Sequence, residues 1–217
     1  DKVVNFGVHK TVFSLLMQDE APYIKQLRNI RQDELEEIIT DDKDIYEQAY
    51  EFLKSHQPAD LDKLRMYEDA SYSLWNLYGL ETLLDDATRT RVWLKSGGYL
   101  VIEPTEALTV IDVNTGKYEG GKNADSTFVK INQEAAVETA KQLRLRNISG
   151  IIIIDFIDMK TEADKLDVLS ALNKELKKDP VKATLVDMTK LNLAEVTRKK
   201  VKKSLREQLG NYDYRRN

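Results

Sequence analysis

The chain contains no cysteine among its 217 residues. That excludes disulfides, cysteine-ligated zinc, iron–sulfur clusters and thiol nucleophiles, and it fits a reducing compartment. Histidine is nearly absent too, with only His9 and His56. Both lie far from the motifs considered below, so a Ser-His-Asp triad or a histidine-rich metal site is not expected. No apolar run approaches the roughly 20 residues that span a bilayer, and no signal-peptide pattern opens the chain. A cytoplasmic, membrane-free protein is therefore expected. The first residue is Asp1 rather than Met, so a piece of a longer protein is expected as well.

What is present is ordinary for a globular protein: 41% hydrophobic and 32% charged residues. The net charge of −4 hides an asymmetry. From Met188 to Asn217 there are nine basic residues against three acidic ones, so this end is basic and the rest strongly acidic. Such a run either attracts a polyanion or is a solvated helix face.

Residues 15–86 read as mostly helical, with helical spacing in Asp44–Leu53 and again in Ser73–Leu84. The pattern changes near Arg89. Arg91–Leu94 and Tyr99–Ile102 read as two strands around Ser96-Gly97-Gly98, a hairpin signal. Ala107–Asn114 reads as a strand, and a helix capped by Asp125 or Ser126 runs to about Leu145. Ile151-Ile-Ile-Ile-Asp155 reads as a strand buried on both faces. Glu162–Lys178 reads as a helix with Leu166, Leu169, Leu172 and Leu176 inward, stopped by Asp179-Pro180. Val181–Val186 reads as a strand, and Leu193–Leu209 as an amphipathic helix. Strands alternating with helices predict an α/β unit.

Asp112 and Asn114 are two apart on one strand, so they share a face. Asp155 closes the next strand. If those strands are neighbours, both carboxylates meet at the carboxyl edge of the sheet, where open α/β folds bind ligands. Two carboxylates and an amide oxygen are hard donors suited to Mg²⁺. Alternatively, Asp112 caps a turn and Asp155 simply ends a strand. A rival reading is the run Gly116-Lys-Tyr-Glu-Gly-Gly-Lys-Asn123, which nearly spells a phosphate-binding loop. It lacks the Ser/Thr that would reach magnesium, and the helix starts too late to cradle phosphates. Arg198, Lys199, Lys200, Lys202 and Lys203, on the expected tail helix, can neutralise phosphates without reading sequence.

Four stretches together resemble the ribonuclease E/G family. They are Val92-Trp-Leu-Lys-Ser-Gly-Gly-Tyr-Leu-Val-Ile-Glu-Pro-Thr-Glu-Ala-Leu-Thr-Val-Ile-Asp-Val-Asn-Thr-Gly-Lys117, Ala140-Lys-Gln-Leu-Arg-Leu-Arg-Asn147, Gly150-Ile-Ile-Ile-Ile-Asp-Phe-Ile-Asp-Met159 and Ala194-Glu-Val-Thr-Arg-Lys-Lys200. The likeness is dense from Val92 to Leu205 and weaker back to Leu15; residues 1–13 have no place in it.

The resemblance implies an α/β, mixed-sheet, DNase-I-like catalytic subdomain over residues 89–209. It implies a mostly helical remainder of a ribonuclease-H-like subdomain over residues 1–88, and leaves 210–217 as a tail. It implies Mg²⁺-dependent cleavage of single-stranded, A/U-rich RNA to 5′-phosphate and 3′-hydroxyl ends, with Mn²⁺ as a substitute ion. Asp112 and Asp155 match the family's metal-binding aspartates, Asn114 its supporting asparagine, and Lys182 a basic residue near the scissile phosphate. Lys182 with Arg198, Lys199 and Lys200 is the expected RNA-binding set. The alternative is a non-catalytic RNA-binding or scaffold module. A homodimer through the catalytic subdomain is a further expectation. The family's OB-type RNA-binding domain and 5′-end sensor are not among these residues, and without cysteine its zinc link is not expected. Asn192 stands where the family usually has glycine.

Overall fold

The computed structural model describes residues 20–30, 35–116, 124–189 and 191–210. The chain divides into two compact units, one up to Tyr78 and one from Gly79.

The first unit contains helices α1 (Pro22–Asn29), α2 (Lys43–His56) and α3 (Leu74–Leu77), with a 3-10 segment at Pro58–Lys63. Asp42 caps α2 by accepting from the Ile45 amide at 2.9 Å. Ile24, Ala49, Phe52, Leu53 and Leu64 form its core. The expected helical character holds only in part: strands β1 (Ile38–Thr40) and β2 (Leu64–Met66) pair in parallel. Three-residue strands carry too few positions to show an alternation. The expected helix over Ser73–Leu84 is also interrupted. Gly79 takes φ +56°, and a separate helix α4 (Leu80–Thr88) begins after it.

The second unit is α/β. Strands β3 (Arg91–Trp93), β4 (Tyr99–Pro104), β5 (Leu108–Asn114), β6 (Gly150–Asp155), β7 (Ala183–Met188) and β8 (Leu193–Arg198) form one mixed sheet in the order β3-β4-β5-β6-β8-β7. Only β5 and β6 are parallel neighbours. The long helix α5 (Ala124–Leu145) lies in the connection between them, and α6 (Glu162–Leu176) follows β6. Ile131, Ala135, Leu143, Val168, Leu172 and Leu176 of these helices join Ile111, Val113, Ile152, Ile154, Ala194 and Val196 of the sheet in one core. At about 1.5–3 kcal/mol per fully buried large aliphatic side chain, this layer supplies much of the unit's hydrophobic stabilisation.

Three expectations need correction. Ile151–Asp155 is not buried on both faces: Ile152 and Ile154 have no exposure, but Ile151 is 51% exposed. On α6 the inward stripe is Val168, Leu172 and Leu176, while Leu166 is 66% exposed. Leu193–Leu209 is not one helix. Leu193–Arg198 is a strand between β6 and β7, and only α7 (Leu205–Leu209) is helical, closed by a Ser204/Glu207 capping box. Leu193 and Val196 fit a helical spacing. Yet Ala194, Val196 and Arg198 are the buried residues, which is a spacing of two.

Candidate active site

Asp112 and Asn114 share a face of β5, and Asp155 ends β6. The parallel register pairs Asp112 directly with Asp155. Neighbouring strands lie about 4.8 Å apart. The two carboxylates therefore converge at the carboxyl end of the sheet, because β5 and β6 are the neighbours that the sequence reading could only suppose. The Asn114 amide donates to Asp112 Oδ2 at 2.7 Å, fixing that carboxylate, and among the described residues no hydrogen bond takes up its other oxygen. Asp155 keeps solvent access, yet its carboxyl is held above the ordinary value. Partial burial at the sheet edge is the main cause, followed by the neighbouring carboxylates of Asp112 and Asp158. A concentration of like charge of this kind is relieved by a cation.

Local packing holds the site in shape. The β3–β4 turn presses against the end of β5. A Cβ on Gly98 would meet the Asn114 carbonyl oxygen at 2.8 Å and Ile131 Cγ2 at 2.9 Å. Gly116 takes φ +69°, and a Cβ there would lie 2.2 Å from the Gly97 carbonyl oxygen. Glu134 of α5 fastens the same turn, accepting from the Lys95 amide at 2.5 Å and the Ser96 amide at 3.0 Å. Burial alone would raise the Glu134 pKa. The hydrogen bonds from Ser96 and Lys95, with the Lys95 charge, outweigh it and hold the carboxyl below its ordinary value.

The loop after Asp155 is clamped by Asn132, which has no exposure. Its Nδ2 donates to the Ile157 carbonyl at 2.8 Å, and its Oδ1 accepts from the Ile157 amide at 3.0 Å. Further along, Lys160 reaches Asp125 at 2.9 Å. The phosphate-loop reading falls mostly outside the described residues, which resume at Ala124.

Residues 3–201 match the ribonuclease E/G family. The chain belongs to that family. It is 41% identical over 185 residues to ribonuclease G of Escherichia coli (strain K12), covering 85% of this chain and 38% of the relative. Ribonuclease G of Haemophilus influenzae is 42% identical over 179 residues, 82% of this chain and 36% of the relative. Ribonuclease E of Synechocystis is 38% identical over 201 residues, 90% of this chain and 30% of the relative. The chain thus spans under two fifths of the length of these curated relatives.

This ribonuclease E/G family member does not gather all the expected residues at one place. Arg198 is not on a solvated helix face. It lies on the buried face of β8, with its side chain 3% exposed, and pairs with Asp179 at 2.8 Å. Its Nη1 also donates to Asn147 Oδ1 at 2.9 Å and to the Ile148 carbonyl at 3.0 Å. Lys182, Lys199 and Lys200 are exposed. They sit at the far end of the sheet, since Ala183 and Gly150 both register with Arg198. Asp155 is five residues further along β6, about 17 Å away. Lys182 is therefore not beside the carboxylate pair. Asn192 takes φ +62° in the β7–β8 turn, a conformation that suits the glycine it replaces, and its Oδ1 accepts from Lys165 at 3.0 Å.

Sequence reasoning missed the Asn132 clamp and the Glu134 brace. Asn132 carried one signal, an amide beside Ile131 on an otherwise apolar helix face. Glu134 carried none.

Proposed function

We propose that this chain is the catalytic part of a metal-dependent endoribonuclease that hydrolyses single-stranded, A/U-rich RNA to 5′-phosphate and 3′-hydroxyl ends. The observation that supports this best is the register pairing of Asp112 with Asp155, with Asn114 bonded to Asp112. On this reading residues 89–209 are DNase-I-like, and residues 1–88 are the remainder of a ribonuclease-H-like subdomain.

The donors fit Mg²⁺, with Mn²⁺ as a substitute. Among the described residues no group of three or more His, Cys, Asp or Glu side chains forms a metal cage. Magnesium takes one or two carboxylates and keeps several waters, which this pair allows. A bound ion supplies charge neutralisation at the scissile phosphate and acidifies water. Asp112 and Asp155 hold it. Asn114 keeps Asp112 in one orientation, and Asn132 fixes the chain just beyond Asp155, so the two carboxylates need little reorganisation on loading. Lys182, Lys199 and Lys200 add phosphate contacts remote from the cleaved bond. The cysteine-free composition suits a reducing cytoplasm, and a homodimer through the unit from Gly79 is part of the same proposal. No described helix is long and apolar enough to cross a membrane.

The test is cleavage of a labelled single-stranded A/U-rich RNA at high protein and low salt, with Mg²⁺ or EDTA, beside the Asp112→Ala/Asp155→Ala double variant. Cleavage that needs both the ion and the aspartates supports the proposal. RNA binding without cleavage, unchanged in the double variant, favours a binding or scaffold module instead.

A further inference from the structure

The catalytic face of the sheet carries an aromatic group that the metal chemistry does not use. Trp93 registers with Tyr99 across β3 and β4, and Tyr99 registers with Asn114 across β4 and β5. Directly paired residues point to the same side of a sheet, so Trp93, Tyr99 and Asn114 form one row. Arg91, Val101, Asp112 and Asp155 form the next row on that face. Two strand spacings place Trp93 about 10 Å from Asn114.

The indole is 61% exposed. The two rings lie 5.1 Å apart, tilted by 60°, and the Arg91 guanidinium sits 4.4 Å from the Tyr99 centroid and 5.7 Å from that of Trp93. A cross-strand aromatic pair does stabilise a hairpin. That role uses the contact with Tyr99 and leaves most of the indole in water. An exposed indole next to a stacked guanidinium is the combination that holds single-stranded nucleic acid: a π-face for any base and a fork of donors for phosphate.

We infer that Trp93, Tyr99 and Arg91 form a stacking platform for an unpaired nucleobase of single-stranded RNA, one or two nucleotides from the bond cleaved at Asp112 and Asp155. The inference rests on the nuclease reading for its substrate, and it adds a subsite that favours unpaired over paired RNA without reading sequence. A base inside a duplex has no free face to offer.

The experiment uses the full chain with Trp75→Phe, which leaves Trp93 as the sole tryptophan. Indole fluorescence is titrated with a single-stranded oligouridylate in EDTA at low salt, so that no cleavage occurs. An abasic oligonucleotide of equal length and charge is titrated in parallel. The platform predicts strong quenching by the oligouridylate and little by the abasic strand. Trp93→Ala should weaken oligouridylate binding about tenfold, within the range for loss of one stacked base, and Trp93→Phe should retain most of it. Thermal melting of each variant confirms that the hairpin stands. Equal quenching by both oligonucleotides, no quenching at all, or unchanged affinity in Trp93→Ala would overturn the platform. Wild-type cleavage with any of those results leaves the nuclease reading intact. Base-dependent quenching in a chain that never cleaves keeps the platform and rejects the nuclease.

Discussion

Arg198→Leu removes a guanidinium from a place where its partner cannot reach water. The Asp179 side chain is 1% exposed, and it meets Arg198 through Nε at 2.8 Å and Nη2 at 3.3 Å. Two further acceptors, Asn147 Oδ1 and the Ile148 carbonyl, also lose their donor. Breaking a buried pair from one side costs about 3–5 kcal/mol. Asp179 retains one bond, from the Val181 amide at 2.8 Å, which pulls the figure toward the lower end, about 3 kcal/mol. For a chain of this length each kcal/mol lowers Tm by about 2–4 °C, so a fall of roughly 6–12 °C is expected in the melting of the unit from Gly79. Replacing both partners together, Asp179→Leu with Arg198→Met, should recover part of the loss, because no charge is left stranded. Melting is followed by circular dichroism or calorimetry. RNA affinity is measured by fluorescence anisotropy at a temperature where every variant is folded, and should stay within about twofold of wild type for Arg198→Leu. Lys199→Ala/Lys200→Ala should do the reverse, leaving Tm in place and reducing the salt slope of binding by about 0.7 per lost phosphate contact. A near-normal Tm with lost RNA affinity in Arg198→Leu would refute the reasoning, and would put Arg198 back among the RNA contacts.

Three further outcomes follow from the packing around the carboxylates. Glu134→Gln should destabilise the chain near neutral pH. Because the folded-state pKa of Glu134 is lowered, its stabilisation is present above the unfolded value and is lost as pH falls through the folded one. The Tm gap between wild type and Glu134→Gln should therefore close on acidification below about pH 4.5; a gap independent of pH would count against the brace. Gly98→Ala should cost about 1–3 kcal/mol and depress cleavage more than melting alone explains, because the new methyl presses on Asn114, and kinetics at a temperature well below Tm would show it. Asn114→Ala should lower cleavage and raise the Mg²⁺ concentration for half-maximal rate while Tm moves by less than about 3 °C, since among the described residues its side chain loses a single exposed hydrogen bond.

How far the chain could be read depended on how local each signal was. Asp112 and Asn114 were legible because alternation within a single strand puts them on one side whatever surrounds it. The hairpin was legible because Gly97 and Gly98 punctuate two apolar runs. The meeting of Asp112 with Asp155 was legible only as a condition, since it depended on β5 and β6 being neighbours. Leu193–Arg198 was misread because Leu193 and Val196 satisfy a helical spacing as well as a strand one. The choice is made by β6 and β7, which flank the segment and take up its backbone hydrogen bonds. Once it is a strand, Arg198 falls on the buried face, and its partner Asp179 lies in the turn after α6, a pairing no local pattern announces. The small strands β1 and β2 were hidden for a related reason: Leu64 is buried and Ile38 partly buried against α2, a contact that three residues of local pattern do not announce.

The position of the charges then constrains how RNA can approach. The edge that would cleave carries Asp112, Asp155 and Asp158, and Asp155 is already held above its ordinary pKa, first by burial and then by the other two. The exposed lysines 182, 199 and 200 lie about 17 Å away along the strands, beyond two Debye lengths at physiological salt, so they cannot offset that repulsion at the scissile phosphate. Of the nearer cations among the described residues, Lys160 is already paired with Asp125, whereas the Arg91 guanidinium lies over the Tyr99 and Trp93 rings. On the proposed reading, then, a divalent ion is needed for the backbone to approach as well as for the chemistry. The rows of the sheet supply the rest. On that reading Asp112 and Asp155 would hold the ion, and Arg91 with Trp93 would hold the strand one step to the side. A phosphodiester placed over Asn114 would thereby be reached from both directions without any help from the far basic end.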